Sequence, residues 1–117
     1  MEHIAFCKLE IFLPEDSLPA LREALWSQDA GHIGRYDRCL SWSPVTSCWR
    51  PLPGSEPYLG TPGELCIQPE VKAEVTCSAD RVDAVVAAVR AAHPYEEPVI
   101  NVIPLYRTGL EESGDKG

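Results

Sequence analysis

The chain has 117 residues, with 18 acidic side chains against 10 basic ones and a formal net charge of -8. This length favours one domain with one hydrophobic core. The acidic balance and the scattered Lys and Arg argue against a surface for nucleic acid or anionic membranes. No stretch approaches the roughly 18 apolar residues of a membrane span, and the charged start is unlike a secretory signal, so we expect a cytoplasmic protein.

The cysteines and the C-terminal residues define further expectations. Five cysteines form an odd set without a C-x-x-C pair, which argues against a disulfide framework and a structural zinc site and predicts free buried thiols. The last residues are polar and acidic without apolar periodicity. We therefore expect one domain over residues 1–109 and a flexible acidic tail over residues 110–117.

The first predicted elements are a strand and a helix. Residues 5–13 alternate in polarity, as in a strand with one buried face, and Pro14 ends the strand. A helix should then begin at Asp16 or Ser17 as its cap and stop near Gly31. Its apolar stripe consists of Leu18, Leu21 and Leu25.

A second strand is predicted between Tyr36 and Trp42, and an irregular segment follows it. Residues 44–63 are rich in proline and glycine, which disfavours regular structure. The segment also carries three large side chains, Trp49, Tyr58 and Leu59. We therefore expect an ordered hairpin extension that packs on something, such as another subunit.

The second half of the chain repeats the pattern of strand and helix. Residues 71–77 alternate cleanly as a strand, and Ser78 should cap the next helix. The apolar stripe of that helix consists of Val82, Val85, Val86 and Val89. Residues 99–103 are mostly β-branched and predict the last strand.

The order strand, helix, strand, strand, helix, strand predicts an α+β fold. With right-handed crossovers it is the ferredoxin-like split βαβ arrangement, βαββαβ, with an antiparallel sheet and both helices on one face. The other face and the edges of the sheet stay uncovered. We therefore expect a homo-oligomer.

The hexapeptide, residues 93–98, concentrates reactive side chains between two prolines; its sequence is His93-Pro94-Tyr95-Glu96-Glu97-Pro98. His93, Glu96 and Glu97 could supply one nitrogen and two oxygen ligands to a divalent metal ion. Pro94 cannot continue a helix, so their convergence depends on the turn itself. The alternative is that His93 caps the helix, Tyr95 packs and the glutamates are solvated.

A second candidate site is the loop over residues 31–39. Two glycines let the backbone approach a neighbour, and His32, Tyr36 and Cys39 add polar or soft groups. The alternative is a helix C-cap glycine and a loop without a ligand. The chain contains no phosphate-binding loop, zincin motif or nucleophile elbow, so we predict no catalytic residues.

Several blocks in order resemble the YqfO-like domain: G-H-I-G-R-Y-D-R-C at residues 31–39, W-R-P at 49–51, P-Y-L-G at 57–60 and H-P-Y-E-E-P at 93–98. The resemblance covers residues 5 to 105. This domain occurs alone and as the middle insertion of the Nif-three-like proteins, with a fold similar to CutA and the PII signalling proteins.

The resemblance implies a regulatory module that assembles, commonly as a trimer, and binds small molecules or cations in clefts between subunits. The ligand-binding residues would be His93, Tyr95, Glu96, Glu97, His32 and Tyr36. The interface anchors would be Trp42, Trp49, Tyr58 and Leu59.

Enzymatic activity is not expected from this resemblance. The full-length relatives hold two metal ions with residues of flanking lobes that this sequence lacks. The alternative function is a divalent-metal-binding protein related to those hydrolases, with His93, Glu96 and Glu97 as ligands, helped by His32 or Cys39 of a neighbour. No definite cofactor is assigned, and a divalent metal ion is the one candidate.

Overall fold

A computed structural model of the chain describes residues 3–110. Residues 111–117 lie outside that range, so the acidic tail stays a prediction. The helices and strands are β1 Phe6–Leu13, α1 Leu18–Ser27, β2 Ser41–Trp49, β3 Cys66–Ser78, α2 Val82–Ala92 and β4 Val99–Leu105. Over residues 3–110, no helix has the length and apolar character needed to cross a membrane.

The four strands form one antiparallel sheet in the order β2-β3-β1-β4. Alternate residues of β1 and β3 point to the same face, where they are buried against both helices. Every member of the predicted stripe of α1 is buried, and Val85 and Val89 are fully buried on α2. The predicted ferredoxin-like α+β fold is therefore confirmed.

The buried side chains of the central strands β1 and β3 fix the register in which these two strands pair. Leu9 lies opposite Val75 and Ile11 lies opposite Ala73, and none of these four side chains exceeds 4% exposure. Fully burying a Leu, Ile or Val side chain contributes roughly 1.5–3 kcal/mol. A one-residue slip would turn this buried set to the other face, so the core holds the register.

The prediction for β2 was wrong in both bounds. The strand covers Ser41–Trp49 and runs through Pro44, whereas we expected a strand at 36–42 and irregular structure from residue 44. Because β2 is an edge strand, it needs backbone partners on one side only and tolerates a proline. Pro69 is tolerated in β3 for the same reason, since the pairing of β1 with β3 stops at Val71.

The predicted extension between β2 and β3 is confirmed, with a shorter irregular part than expected. Residues 50–65 connect the two strands, and hydrogen bonds within the loop give it order. The amide of Gly63 donates to the carbonyl oxygen of Pro51 at 2.7 Å, and the hydroxyl of Ser55 donates to that of Leu52 at 2.6 Å.

The predicted side-chain caps of both helices were wrong. A short 3₁₀ turn precedes each helix, at Glu15–Ser17 and at Ala79–Arg81. Neither Ser17 nor Ser78 makes a side-chain cap hydrogen bond, because backbone hydrogen bonds of the turn already satisfy amide groups at the start of the helix.

The expectation of buried thiols is correct for part of the cysteines only. Cys7 and Cys77 are buried, whereas Cys48 is exposed on the edge strand β2. Burial, followed by the neighbouring Cys7, raises the pKa of Cys77 to about 11. All five cysteines are free, as expected.

Gly31 is required by a close backbone contact at the end of the first helix. Its φ is +84°, and a Cβ placed on it would lie 2.4 Å from the carbonyl oxygen of Cys39. We expect Gly31→Ala to lower the free energy of unfolding by roughly 3 kcal/mol, from the combined strain and clash. Gly34→Ala is the matched control, because Gly34 also has a positive φ but faces open space, and it should cost about 1 kcal/mol. Urea unfolding of both variants measures the difference, and equal losses would contradict this account of Gly31.

Candidate functional site

His93 fixes the hexapeptide to the sheet. It occupies the C-cap of α2 with an extended backbone, as expected before a proline. Its Nε2 donates to the carbonyl oxygen of Phe12 at 2.7 Å, and its Nδ1 accepts the amide hydrogen of Tyr95 at 3.1 Å. These two bonds define a neutral imidazole with the proton on Nε2. Burial lowers the pKa of His93 below its usual 6.5, although the Phe12 carbonyl and Glu70 oppose this effect.

The structure does not bring His93, Glu96 and Glu97 together as metal ligands. Both ring nitrogens of His93 are already used by backbone groups. Across residues 3–110, no group of three or more His, Cys, Asp and Glu side chains is arranged to hold a metal ion. The predicted three-residue metal site is therefore not formed within a single chain.

Tyr95 packs as the alternative reading expected, and it also binds a buried acid. Its hydroxyl donates to Oε2 of Glu70 at 2.5 Å, and Glu70 is only 5% exposed. Burial and then this hydrogen bond raise the pKa of Tyr95. The phenol therefore stays protonated at neutral pH and keeps donating to the carboxylate.

Aromatic rings from the end of β2 and from the loop that follows it pack around Tyr95. The ring centroids of Trp49 and Tyr58 lie 5.6 and 6.1 Å from that of Tyr95, and the rings are tilted. Nε1 of Trp49 donates to the carbonyl oxygen of Leu59 at 3.3 Å. These contacts hold the end of the hairpin extension against the hexapeptide.

One glutamate of the hexapeptide also binds the loop. Oε1 of Glu96 accepts the amide hydrogen of Glu56 at 2.9 Å. Glu96 and Glu97 are both exposed, so the alternative reading of solvated glutamates is correct for Glu97 and incomplete for Glu96.

A cleft with a volume of about 700 Å³ lies between the hexapeptide and this loop. Its polar lining includes Glu70, Glu96, Glu97 and Arg50. The apolar lining includes Trp49, Tyr58, Tyr95, Leu59, Phe12 and Val99. A pocket of this size with a few converging polar groups is typical of small-molecule sites.

His32 and Tyr36 do not line this cleft. Their loop is held at the other end of the sheet, where the amide of Gly31 donates to the carbonyl oxygen of Thr76. Thr76 lies six residues along β3 from Glu70, or roughly 20 Å at the rise of a strand. Hydrogen bonding to Asp29 raises the pKa of His32, and Tyr36 is 74% exposed. Within one chain, the two predicted sites are therefore separate.

The predicted interface anchors differ in their surroundings. Trp42 is 46% exposed and Tyr58 is 54% exposed. Trp49 and Leu59 are half-buried and contact each other within the chain. Their role in assembly stays a prediction.

Sequence reasoning missed Glu70 and Arg50 as cleft residues. Glu70 follows Pro69 in a segment without apolar character on its own face, so no local pattern indicates that it is buried. Its partner Tyr95 is 25 residues away, and only the fold brings the two together.

Relatives found by sequence comparison align with most of this chain. A protein of Halalkalibacterium halodurans named GTP cyclohydrolase 1 type 2 homolog is 38% identical over 102 residues, which are 87% of this chain and 27% of the relative. The Bacillus subtilis protein of the same name is 34% identical over 105 residues, or 90% of this chain and 28% of the relative. The chain thus spans little more than a quarter of the length of these curated relatives.

Structure comparison gives the same relationship. A Bacillus cereus protein related to NIF3 superposes with a TM-score of 0.76 and 32% identity, over 90% of this chain and 27% of that one. CutA from Synechococcus elongatus has a TM-score of 0.64 and 20% identity, over 90% of this chain and 80% of that one. B. subtilis GlnK, at a TM-score of 0.60 and 20% identity over 86% and 85% of the two chains, shares the fold.

The resemblance to the NIF3-related proteins is therefore confirmed. The family model described as CutA1 divalent ion tolerance protein matches residues 39–111, which is more than half of the sequence. With this match and the shared fold, the chain belongs to the CutA1 family.

Proposed function

We propose that this chain is a cytoplasmic, self-assembling regulatory module that holds a small molecule or cation in its cleft and carries out no reaction on it. The observation that carries the proposal is the cleft of about 700 Å³ beside the hexapeptide, with its aromatic lining and the buried Glu70. A buried carboxylate is costly unless it is hydrogen-bonded or paired, and within the described part of the chain Glu70 has Tyr95 as its one hydrogen-bond donor, so a ligand that adds a second would stabilise it.

Assembly is supported by the sheet face opposite the helices. Four charged side chains form a connected set at its centre. Lys8 forms ion pairs with Glu10 and Glu74, and Lys72 forms one with Glu10. Beside this set on the edge strand β4, Val99 is 51% exposed and Ile103 is 37% exposed. Exposed apolar side chains bordered by polar groups are typical of a surface that a second copy covers.

Assembly also gives the second predicted site a role. A cyclic trimer uses two different surfaces of each copy, so one end of a sheet can meet the other end of its neighbour. The loop of His32 and Tyr36 would then border the cleft of the adjacent copy. This arrangement unites both groups of predicted ligand-binding residues between subunits.

A divalent cation is the second candidate ligand, because the family is described as a divalent ion tolerance protein and two exposed carboxylates stand at the cleft. Glu96 and Glu97 supply the oxygen donors that hard cations prefer. Further ligands would come from His32 or Cys39 of a neighbouring copy. Metal analysis of protein purified without chelator decides this candidate, with Glu97→Gln as the variant that should lose the ion.

Hydrolase activity is not part of this proposal. The relatives named GTP cyclohydrolase 1 type 2 homolog are more than three times as long as the part that matches this chain. A site does not transfer with a shared fold, so any reaction of those proteins would need its own demonstration here. The net charge of -8 also argues against nucleic acid and anionic membranes as partners.

Light scattering and ligand-observed NMR test the proposal together. We expect a particle near three times the chain mass of 12.9 kDa at micromolar concentration. A panel of small aromatic and aliphatic compounds should include binders that Tyr58→Ala weakens, since Tyr58 lines the cleft. A stable monomer would contradict assembly, and the absence of any binder at millimolar concentration would contradict the ligand-binding role.

A further inference from the structure

We infer that the cleft selects an organic cation, an ammonium or guanidinium group carried on an apolar body. This inference rests on the proposed function, because it names the ligand class for the same cleft. It follows from the juxtaposition of one buried carboxylate with three aromatic rings in a single pocket.

Glu70 is the centre of the proposed site. The residue is 5% exposed and lines the cleft, and its Oε2 accepts a hydrogen bond from Tyr95. Neither a hydrogen bond nor an ion pair from residues 3–110 reaches its other oxygen, Oε1. One phenol hydroxyl replaces only part of the hydration that a carboxylate loses on burial. A positive group entering the cleft would complete its pairing.

The rings that line the same cleft as this carboxylate favour a cation with an organic shell. Trp49, Tyr58 and Tyr95 all line the cleft, and neighbouring centroids lie 5.6 and 6.1 Å apart. The faces of indole and phenol rings attract ammonium and guanidinium groups, most strongly when the cation is desolvated. A small hydrated metal ion gains little from such rings, because it prefers several oxygen ligands.

The charges at the mouth of the cleft agree with this selectivity. Glu96 and Glu97 join Glu70 in the lining, against the single guanidinium of Arg50. Arg50 is exposed, and it forms no ion pair with any of the described residues. The local balance is therefore negative, which opposes phosphate and carboxylate ligands and attracts cations.

A matched pair of probes isolates the charge of the ligand. Choline and 3,3-dimethyl-1-butanol have the same shape, but only choline carries a positive charge. Titrations of the full chain, followed through the Trp49 indole N–H signal in ¹H–¹⁵N spectra, give both dissociation constants. We expect choline to bind at least tenfold more tightly than the alcohol, a comparison that needs no variant.

Glu70→Gln isolates the charge of the protein. The glutamine carbonyl oxygen can still accept the Tyr95 hydroxyl, so the variant removes the negative charge and keeps that hydrogen bond. We expect choline binding to weaken at least tenfold and binding of the alcohol to stay within about twofold. Glu23→Gln, on the exposed side of α1, makes the same change in net charge away from the cleft and should leave both affinities unaltered.

The outcomes separate this inference from the proposed function. Equal affinities for the two probes, or choline binding that Glu70→Gln leaves unchanged, would overturn the cation selectivity while the cleft still counts as a ligand site. No choline binding at 10 mM would also overturn it. The proposed function would fall with it only if the compound panel and light scattering failed as well.

Discussion

His93→Ala should lower the free energy of unfolding by about 3 kcal/mol, because it removes a buried ring and two hydrogen bonds. The Phe12 carbonyl would lose its donor, and the Tyr95 amide would lose its acceptor. The ring also packs on Tyr95, with a centroid distance of 4.9 Å. His93→Gln is the matched control, since its amide can still donate to Phe12, and it should recover about half of the loss. Urea unfolding at one fixed protein concentration measures both variants.

The same imidazole makes stability depend on pH. Because burial lowers the pKa of folded His93 below 6.5, the unfolded chain takes up this proton before the folded chain does. The stabilisation that neutral His93 contributes is fully present above about pH 6.5. It is lost as the pH falls from there through the lowered pKa of the folded state. His93→Gln should remove this loss of stability.

His32 acts in the opposite direction and has to be separated from this effect. Its pKa is raised by hydrogen bonding to Asp29, so its contribution is present below pH 6.5 and is lost as the pH rises through the raised value. The pH series should therefore be run in a His32→Gln background. A slope between pH 7 and 5 that persists without His93 would contradict the assignment to His93.

Most of the fold could be predicted because its signals are local. The alternation in β1 and the stripe of α2 each report a buried face within one element. The bounds of β2 were not predictable in this way, because a proline excludes a central strand but not an edge strand. Whether Pro44 lies at an edge depends on the order of strands in the sheet, which is a property of the whole chain.

The site was predicted only in part, because its partners are distant in sequence. The hexapeptide does line the cleft, and Tyr95 is central to it. His93 looked like a metal ligand, yet its Nε2 is bound to Phe12, 81 residues away. In the sequence, Glu70 resembles an ordinary polar residue of a strand. In the fold it is buried and accepts a hydrogen bond from the Tyr95 hydroxyl.

The uncovered sheet face provides the other large expected effect. Ile103 lies directly opposite Lys8 on this face, next to the charged set formed with Glu10 and Glu74. An aspartate at position 103 can therefore pair with Lys8 within its own chain, so the fold should tolerate it. Against a second copy, the same carboxylate would replace an apolar contact with a charge that has to be desolvated.

Ile103→Asp should accordingly weaken association about a hundredfold, or about 3 kcal/mol for each interface, and give monomers at micromolar concentration. Light scattering across a concentration series measures this, and circular dichroism checks that the chain remains folded. Ala87→Asp on the exposed surface of α2 introduces the same charge away from the sheet and should leave the particle mass unchanged. An Ile103→Asp variant that keeps the wild-type mass would place the contact elsewhere. Trp42 and Tyr58 would then be the side chains to change next, since they are the two exposed members of the four predicted interface anchors.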